Sequence, residues 1–344
     1  MKTIFIVDDI MHNLAEAQKA LNDFYSIIAL SSAVEMFEAL KTIRPDLILL
    51  DIIMPDIDGI DALKLLKADV HYTDIPVILL TGMNDGATEA YGFELGAVDF
   101  ISKPFTKPVL FNRIKTHLEI EDKINERTEK LFKLQNGLVS VLASMVENRD
   151  TLTGRHIERT TGYVKILLDA MYVFKIYEEE LSAWDFESTI WSARLHDIGK
   201  IAVSDLILNK PDTLTDDEFA IMKNHTVEGE RLIDTVVKES GDAPFLQNAK
   251  LFAGSHHERW DGKGYPRSLK ENEIPLQGRI MAVADVYDAL VSERPYKSAL
   301  SHDKAVEVIL ENKGTNFDPK IVDVFYAANT SFLKQSDNLQ KSSL

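Results

Sequence analysis

Two adjacent imidazoles, His256-His257, stand ahead of a loop with two glycines and a proline, Glu258-Arg259-Trp260-Asp261-Gly262-Lys263-Gly264-Tyr265-Pro266. Well upstream, a second adjacent pair opens His196-Asp197-Ile198-Gly199-Lys200. Imidazole and carboxylate are ligand types for first-row divalent cations. Adjacent ligand types repeated in distant segments are what a metal cluster built from several helices requires. The chain has nine histidines. His156, His196, His225, His256 and His257 fall in separate helix-like segments or adjacent pairs of one region, with Asp197 and Asp285. Asp285 closes an otherwise apolar run, Met281-Ala282-Val283-Ala284-Asp285. A buried carboxylate there is costly without a cationic partner, and a metal ion supplies one. These side chains are too many for one ion. They fit two ions about 3.5–4 Å apart that share a carboxylate and a water. A set without thiolate suits six-coordinate iron or manganese better than structural zinc. His12, His71, His117 and His302 lack such context and read as ordinary structural histidines.

A second constellation lies in the first third of the chain. Apolar runs at 3–7, 25–30, 46–50, 76–80 and 98–101 alternate with helix-like stretches, which predicts a parallel sheet with helices on both faces. Function in such sheets gathers at the carboxyl ends of the strands. There stand Asp8 and Asp9 after the first run, Asp51 after the third, Thr81 after the fourth and Lys103 after the fifth. Converging carboxylates repel unless a hard cation sits among them, and Mg²⁺ prefers oxygen ligands. Lys103 could neutralise a transferred phosphoryl group, and the Lys103-Pro104 bond is a cis candidate.

Between these regions Ile120, Ile124, Arg127, Leu131, Leu134, Leu138, Val141 and Met145 recur at alternating steps of four and three. That is a coiled-coil seam, with charged residues on the other faces. It predicts a connector helix over 120–145 that pairs with its copy in a parallel homodimer. Beyond about Leu134 the alternative is that the stripe packs into its own chain. The region from about 138 reads as mostly helical. Thr215-Asp216-Asp217-Glu218 has the capping-box pattern and is expected to open the segment bearing His225.

The chain of 344 residues is long enough for two domains, and 45% hydrophobic with 27% charged residues is a globular composition. A net charge of −17 argues against a general binder of nucleic acid or anionic membrane. It leaves room for one anionic small molecule at a locally positive, metal-filled site. The absence of cysteine excludes disulfides and thiolate metal sites and fits a reducing cytoplasm. No signal-peptide pattern opens the chain, and no run of about 18 apolar residues predicts a membrane span.

The strand-end constellation, over about 1–120, resembles the receiver domain of bacterial response regulators. The resemblance implies a flavodoxin-like α/β fold with a parallel five-stranded sheet in the order 2-1-3-4-5. Asp51 is then the phosphoacceptor for a sensor histidine kinase, Asp8 and Asp9 hold Mg²⁺ with it, Thr81 and Lys103 contact the phosphoryl group, and Phe100 is the switch aromatic. The later segments resemble the HD-GYP family, an all-α subset of HD-type metallohydrolases that cleaves cyclic di-GMP, over about 138–330 with a tail at 331–344. The matching stretches are His156-Ile157-Glu158-Arg159, His196-Asp197-Ile198-Gly199-Lys200, Met222-Lys223-Asn224-His225, the run from His256 to Pro266, Ala284-Asp285-Val286-Tyr287-Asp288-Ala289-Leu290 and Arg294-Pro295-Tyr296-Lys297.

This second resemblance implies that Asp197 bridges two ions. His156, His196 and Asp285 complete one, and His225, His256 and His257 the other. Lys200 would reach a phosphate or the leaving oxygen, and Tyr265, Arg294 and Lys297 would contact the nucleotide. Members with a third ion carry a Glu four residues before the first ligand histidine. That position here is Leu152, which predicts two ions; Asp150 or Glu147 could substitute only with a different local backbone. The implied reaction opens the ring to pGpG, with a second cleavage to GMP. Two alternatives stand beside it: a hydrolase of another cyclic dinucleotide, and a catalytically silent module that senses nucleotide or binds a partner.

Overall fold

The computed structural model describes residues 1–82, 86–149, 155–293 and 298–341. The chain divides into two compact units, 1–131 and 132–344.

The first unit is built on strands β1 (Thr3–Val7), β2 (Ser26–Leu30), β3 (Leu47–Asp51), β4 (Val77–Thr81) and β5 (Asp99–Ser102). They form one parallel sheet in the order β2-β1-β3-β4-β5. Successive side chains of a strand point to opposite faces. Ile4, Ile6, Leu47, Leu49, Ile78 and Leu80 therefore enter one core, and Phe5, Val7, Ile48, Leu50, Val77 and Leu79 the other. Burial on both faces explains why these strands read as continuous apolar runs rather than alternating ones. Helix starts are fixed locally: Ser32 accepts from the Glu35 amide ahead of Ala33–Leu40, and Asp58 from the Asp61 amide ahead of Gly59–Ala68. The predicted strands thus all form, displaced by at most one residue.

A single helix runs from Lys107 to Glu147. It begins earlier than the expected connector because Leu110, Ile114 and Leu118 pack into the core of the first unit. In its last turns Val139, Ala143 and Val146 are buried. Seven seam residues, Ile120, Ile124, Leu131, Leu134, Leu138, Val141 and Met145, are all exposed. The helix thus enters the second unit's packing by one face and leaves the heptad face in water.

The second unit is helical. Its core is formed by His156–Val173, Leu276–Val291 and Pro319–Lys341, with Tyr163, Leu167, Tyr287, Phe325 and Phe332 completely buried. Tyr163 and Phe332 stack with ring centroids 4.8 Å apart. Burying each such side chain contributes about 1.5–3 kcal/mol. The last helix runs across position 331, where a tail was expected, and Phe332 lies in the core. Leu276–Val291 is buried around most of its circumference, with Gln277, Arg279 and Asp288 among its buried residues. No helix among the described residues is long and apolar enough to cross a membrane.

Candidate metal centres and the groove beside them

At the strand ends of the first unit, Asp8, Asp9 and Asp51 bring carboxylate oxygens within 4.8 Å of one another. Asp8 and Asp51 are buried and Asp9 is exposed. The Lys103 ammonium lies 2.6 Å from Asp8 Oδ2 and 2.7 Å from Asp51 Oδ1. Asn13 also donates to Asp8, at 3.0 and 3.1 Å. Burial pushes the Asp51 pKa up against the opposing pull of Lys103. The Thr81 hydroxyl donates to the Gly82 carbonyl at 2.6 Å. Phe100 is half-buried, its ring 4.7 Å from Phe93. The Lys103-Pro104 bond is cis.

In the second unit two groups form: His156, His196 and Asp285, and His225, His256 and His257. Asp197 stands between them. Its Oδ2 is 3.4 Å from His196 Nε2, and its Oδ1 is 3.5 Å from His225 Nε2 and 3.7 Å from His256 Nε2. The seven residues expected as ligands are thus brought together from five segments.

Each supporting element sets one ring. His156 is the first residue of His156–Val173, and His225 the first of His225–Ser240. The capping box at Thr215 forms, but it opens a separate short helix, Asp216–Lys223, that ends before His225. His256 caps the end of Pro244–Ser255. Gly199 is required by close approach: a Cβ there would fall 1.9 Å from the His225 carbonyl oxygen. At Gly264 a Cβ would fall 2.3 Å from the Arg259 nitrogen.

The hydrogen bonds at Nδ1 determine what these rings can do. His196 Nδ1 faces the Ala193 carbonyl at 3.0 Å, His225 Nδ1 the Met222 carbonyl at 2.7 Å, and His256 Nδ1 the Phe252 carbonyl at 2.9 Å. His156 Nδ1 faces Asp288 Oδ2 at 2.8 Å. An oxygen acceptor at Nδ1 assigns the proton there and leaves Nε2 of a neutral ring as a bare lone pair. Yet His156 and His196 oppose Nε2 to Nε2 at 3.4 Å, and His225 and His256 at 3.3 Å. Facing lone pairs repel unless a cation lies among them. Asp197 Oδ1 is buried without a hydrogen-bond partner, which adds the same demand. The residues present therefore fit a divalent-metal site.

The pKa directions agree. Burial pushes His225 down, His256 well down, and His257 to about 3, and neighbouring imidazole charges add to each shift. Burial opposes charge at His196 too, but Asp197 outweighs it and the pKa is raised. Burial also works against ionised Asp197, yet Lys200 and the imidazoles hold its pKa well below the carboxylate range. Lys200 Nζ lies 2.8 Å from Asp197 Oδ2.

The structure differs from the sequence reading at Asp285. Its side chain is 19% exposed, so it is not the deeply buried carboxylate of that helix. Asp288 is, at zero exposure, and it receives Arg159 at 2.6 and 3.0 Å besides His156. Asp285 meets the cluster from the rim, its Oδ1 3.5 Å from His156 Nε2. Glu258 was also missed: buried, it accepts from the Arg267 and Leu269 amides at 2.7 and 3.0 Å and pins the loop. The only available signal was its place beside the paired histidines. Glu147 lines a small cavity with His156, Asp197 and Lys200, and burial raises its pKa. Tyr265 tilts over His257 with centroids 4.8 Å apart. A groove of about 610 Å³ leads away from His225, His257, Lys200 and Tyr265. Leu152, Arg294 and Lys297, with Asp150, Pro295 and Tyr296, lie outside the described residues.

A strand-end acidic cluster with an apical lysine, followed by a histidine–aspartate centre in a helical unit, defines a response regulator with a metal-dependent HD-type output. Comparison agrees on both halves. Residues 4–115 match the response regulator receiver domain and residues 140–321 the HD domain, and the chain belongs to the HD-domain family. It is 41% identical to "Probable cyclic di-GMP phosphodiesterase" of Vibrio cholerae over 96% of this chain and 78% of that protein. It is 35% identical to "Cyclic di-GMP phosphodiesterase response regulator RpfG" of Xanthomonas campestris over 93% of this chain and 86% of that one. It is also 37% identical to "3'3'-cGAMP-specific phosphodiesterase 2" of Vibrio cholerae, over 54% of this chain and 33% of that one.

Proposed function

We propose that the chain is a cytoplasmic response regulator in which phosphorylation of Asp51 by a sensor histidine kinase controls hydrolysis of cyclic di-GMP. The observation that carries the enzymatic half is the convergence of bare imidazole nitrogens on Asp197, whose Oδ1 is buried without a hydrogen-bond partner. His156, His196 and Asp285 would hold one divalent ion, His225, His256 and His257 the other, and Asp197 would touch both. Iron or manganese suits this thiolate-free set, and leucine at 152 leaves the count at two. Bound there, the ions would supply Lewis acidity toward a phosphate oxygen and would lower the pKa of a water so that, once deprotonated, it can attack phosphorus.

The chain's own groups do the rest. The anchored Nδ1 atoms fix the rings, so no reorganisation is needed as charge develops. Lys200, beside Asp197, sets a positive charge where the leaving oxygen gains negative charge. Tyr265 walls the site next to His257, and Arg294 and Lys297 are assigned to the nucleotide phosphates. One ester cleavage yields pGpG and a second yields GMP. In the receiver Asp8, Asp9 and Asp51 would hold Mg²⁺, Thr81 and Lys103 would meet the phosphoryl group, and Phe100 would respond. The exposed heptad face supports a parallel homodimer.

Reduced, metal-loaded protein should convert cyclic di-GMP to pGpG in a timed product analysis. His196→Ala and Asp197→Ala should each lower turnover by more than about a hundredfold, the upper loss for an outer-shell change. Wild-type protein that binds metal but turns over nothing would favour a silent sensing module. Faster turnover of 3'3'-cGAMP, the nucleotide named for one relative, would favour the other hydrolase.

A further inference from the structure

The groove beside the metal centre is lined by Lys200, His225, His257 and Tyr265 and by apolar side chains that include Leu214 and Phe219, with Lys210, Asp212 and Thr213 also on its wall. The helix that carries Phe219, Asp216–Lys223, contributes no buried residue to the fold. Phe219 is 46% exposed. Burial in the core does not explain a large aromatic ring left half in water on a helix with no buried residue.

The helix is nevertheless held firmly. Thr215 and Glu218 close a reciprocal capping box, and Glu218 also receives Lys210 at 2.6 Å. That ion pair ties the Phe219 helix to the 207–214 segment, so two walls of the groove are fixed to each other. The Phe219 ring meets Tyr265 at 6.3 Å and 81°, and Tyr265 in turn lies against His257. The Lys223 ammonium stands 5.0 Å from the Phe219 ring centre and 5.9 Å from that of Tyr265. An aromatic and aliphatic wall thus continues directly from the imidazoles, with a cation at its edge.

We propose that the Phe219 side of this groove is a nucleobase subsite in which Phe219 supplies the stacking surface. The inference rests on the phosphodiesterase reading, because Lys200 and the imidazoles must receive a phosphate for the Phe219 side to receive the attached base. A planar base needs an aromatic face and tolerates an apolar surround, and stacking on a protein aromatic does not depend on which base it is. Lys223 adds a cation beside the Phe219 and Tyr265 rings. Phe219 is a binding residue here and takes no part in bond breaking.

The test pairs turnover with binding. Alanine removal of a stacking aromatic weakens binding by roughly 5- to 150-fold per base. Phe219→Ala should raise KM for cyclic di-GMP by a factor in that range and weaken calorimetric binding of pGpG alike. Phe219→Trp should hold both within about twofold. An unchanged thermal melt for Phe219→Ala would show that the fold is intact, as half exposure implies. Changes below about twofold for Phe219→Ala in both measurements overturn the subsite. If no variant or wild-type protein turns over cyclic di-GMP, yet pGpG binding still drops on Phe219→Ala, the subsite stands and the catalytic reading fails. If turnover is normal and Phe219→Ala is silent, the reverse holds.

Discussion

At the scale of single residues, the centre depends on groups that never touch substrate. Backbone carbonyls fix three of the rings, but His156 depends on a side chain, Asp288, itself clamped by Arg159. Burial alone would raise the Asp288 pKa; the His156 and Arg159 hydrogen bonds outweigh it and keep the carboxylate ionised. Asp288→Asn keeps an oxygen acceptor but removes the charge. Metal affinity should fall by roughly 10- to 100-fold, the usual loss for an orienting carboxylate, as read by chelator competition. An unchanged affinity would remove Asp288 from the metal centre. The two ion sites should also part on acidification. His196 has a raised pKa because of Asp197, whereas His256 and His257 are pushed down by burial. Protons therefore compete at the His156–His196–Asp285 site at higher pH, and metal binding must displace them. Protein dialysed at stepwise lower pH should lose the ion of that site first; simultaneous loss would refute the asymmetry. The paired histidines were legible because adjacent ligand types are uncommon outside such centres. Asp288 was not: it stands three residues from Asp285 on one helix, and spacing gives both one face without ranking their depth. Only the packing of Arg159 beneath the helix decides that.

At the scale of elements, the sheet was readable to within a residue because strands buried on both faces must be apolar throughout. The strand ends followed from it, and with them Asp8, Asp51, Thr81 and Lys103. The connector was harder. Heptad spacing identified the seam, but not that a second stripe, Val139, Ala143 and Val146, spaced four and three on another face, would enter the helical unit. Two stripes with the same spacing on one helix cannot be told apart by periodicity when both are apolar. The seam beyond Leu134, expected to risk burial in its own chain, stays exposed at Leu138, Val141 and Met145. Such a stripe in water is costly unless a partner helix covers it. Leu134→Lys with Leu138→Lys should convert a dimer to a monomer in sedimentation equilibrium, with the first unit's phosphorylation chemistry intact. A wild-type monomer, or a double variant of unchanged mass, would refute pairing through this face.

At the scale of the whole molecule, one continuous helix, Lys107–Glu147, begins in the core of the first unit and ends beside His156 and Asp197. Glu147 lines the cavity that contains His156 and Asp197. Two residues on, Arg149 donates to the carbonyls of Ile201 at 2.9 Å and Val203 at 3.0 Å and to Asp205 at 2.8 Å. Those carbonyls belong to the segment that follows Asp197 and Lys200. A rotation or shift of the helix end therefore has a direct hold on the backbone just beyond Asp197 and Lys200. A signal shifts such an equilibrium only by its differential affinity for the two states, and couplings of this kind are about 1–3 kcal/mol, or 5- to 150-fold. Beryllofluoride, which mimics an acyl phosphate at Asp51, should change cyclic di-GMP turnover by a factor within that range, in either direction. Asp51→Asn should abolish the response while leaving unstimulated turnover in place. Arg149→Ala should diminish the response even though it lies far along the chain from Asp51, because the grip on Ile201 and Val203 is lost. A beryllofluoride response that survives in Asp51→Asn would show that the effect does not pass through the phosphoacceptor. A response undiminished in Arg149→Ala would show that the helix end transmits it by some other contact.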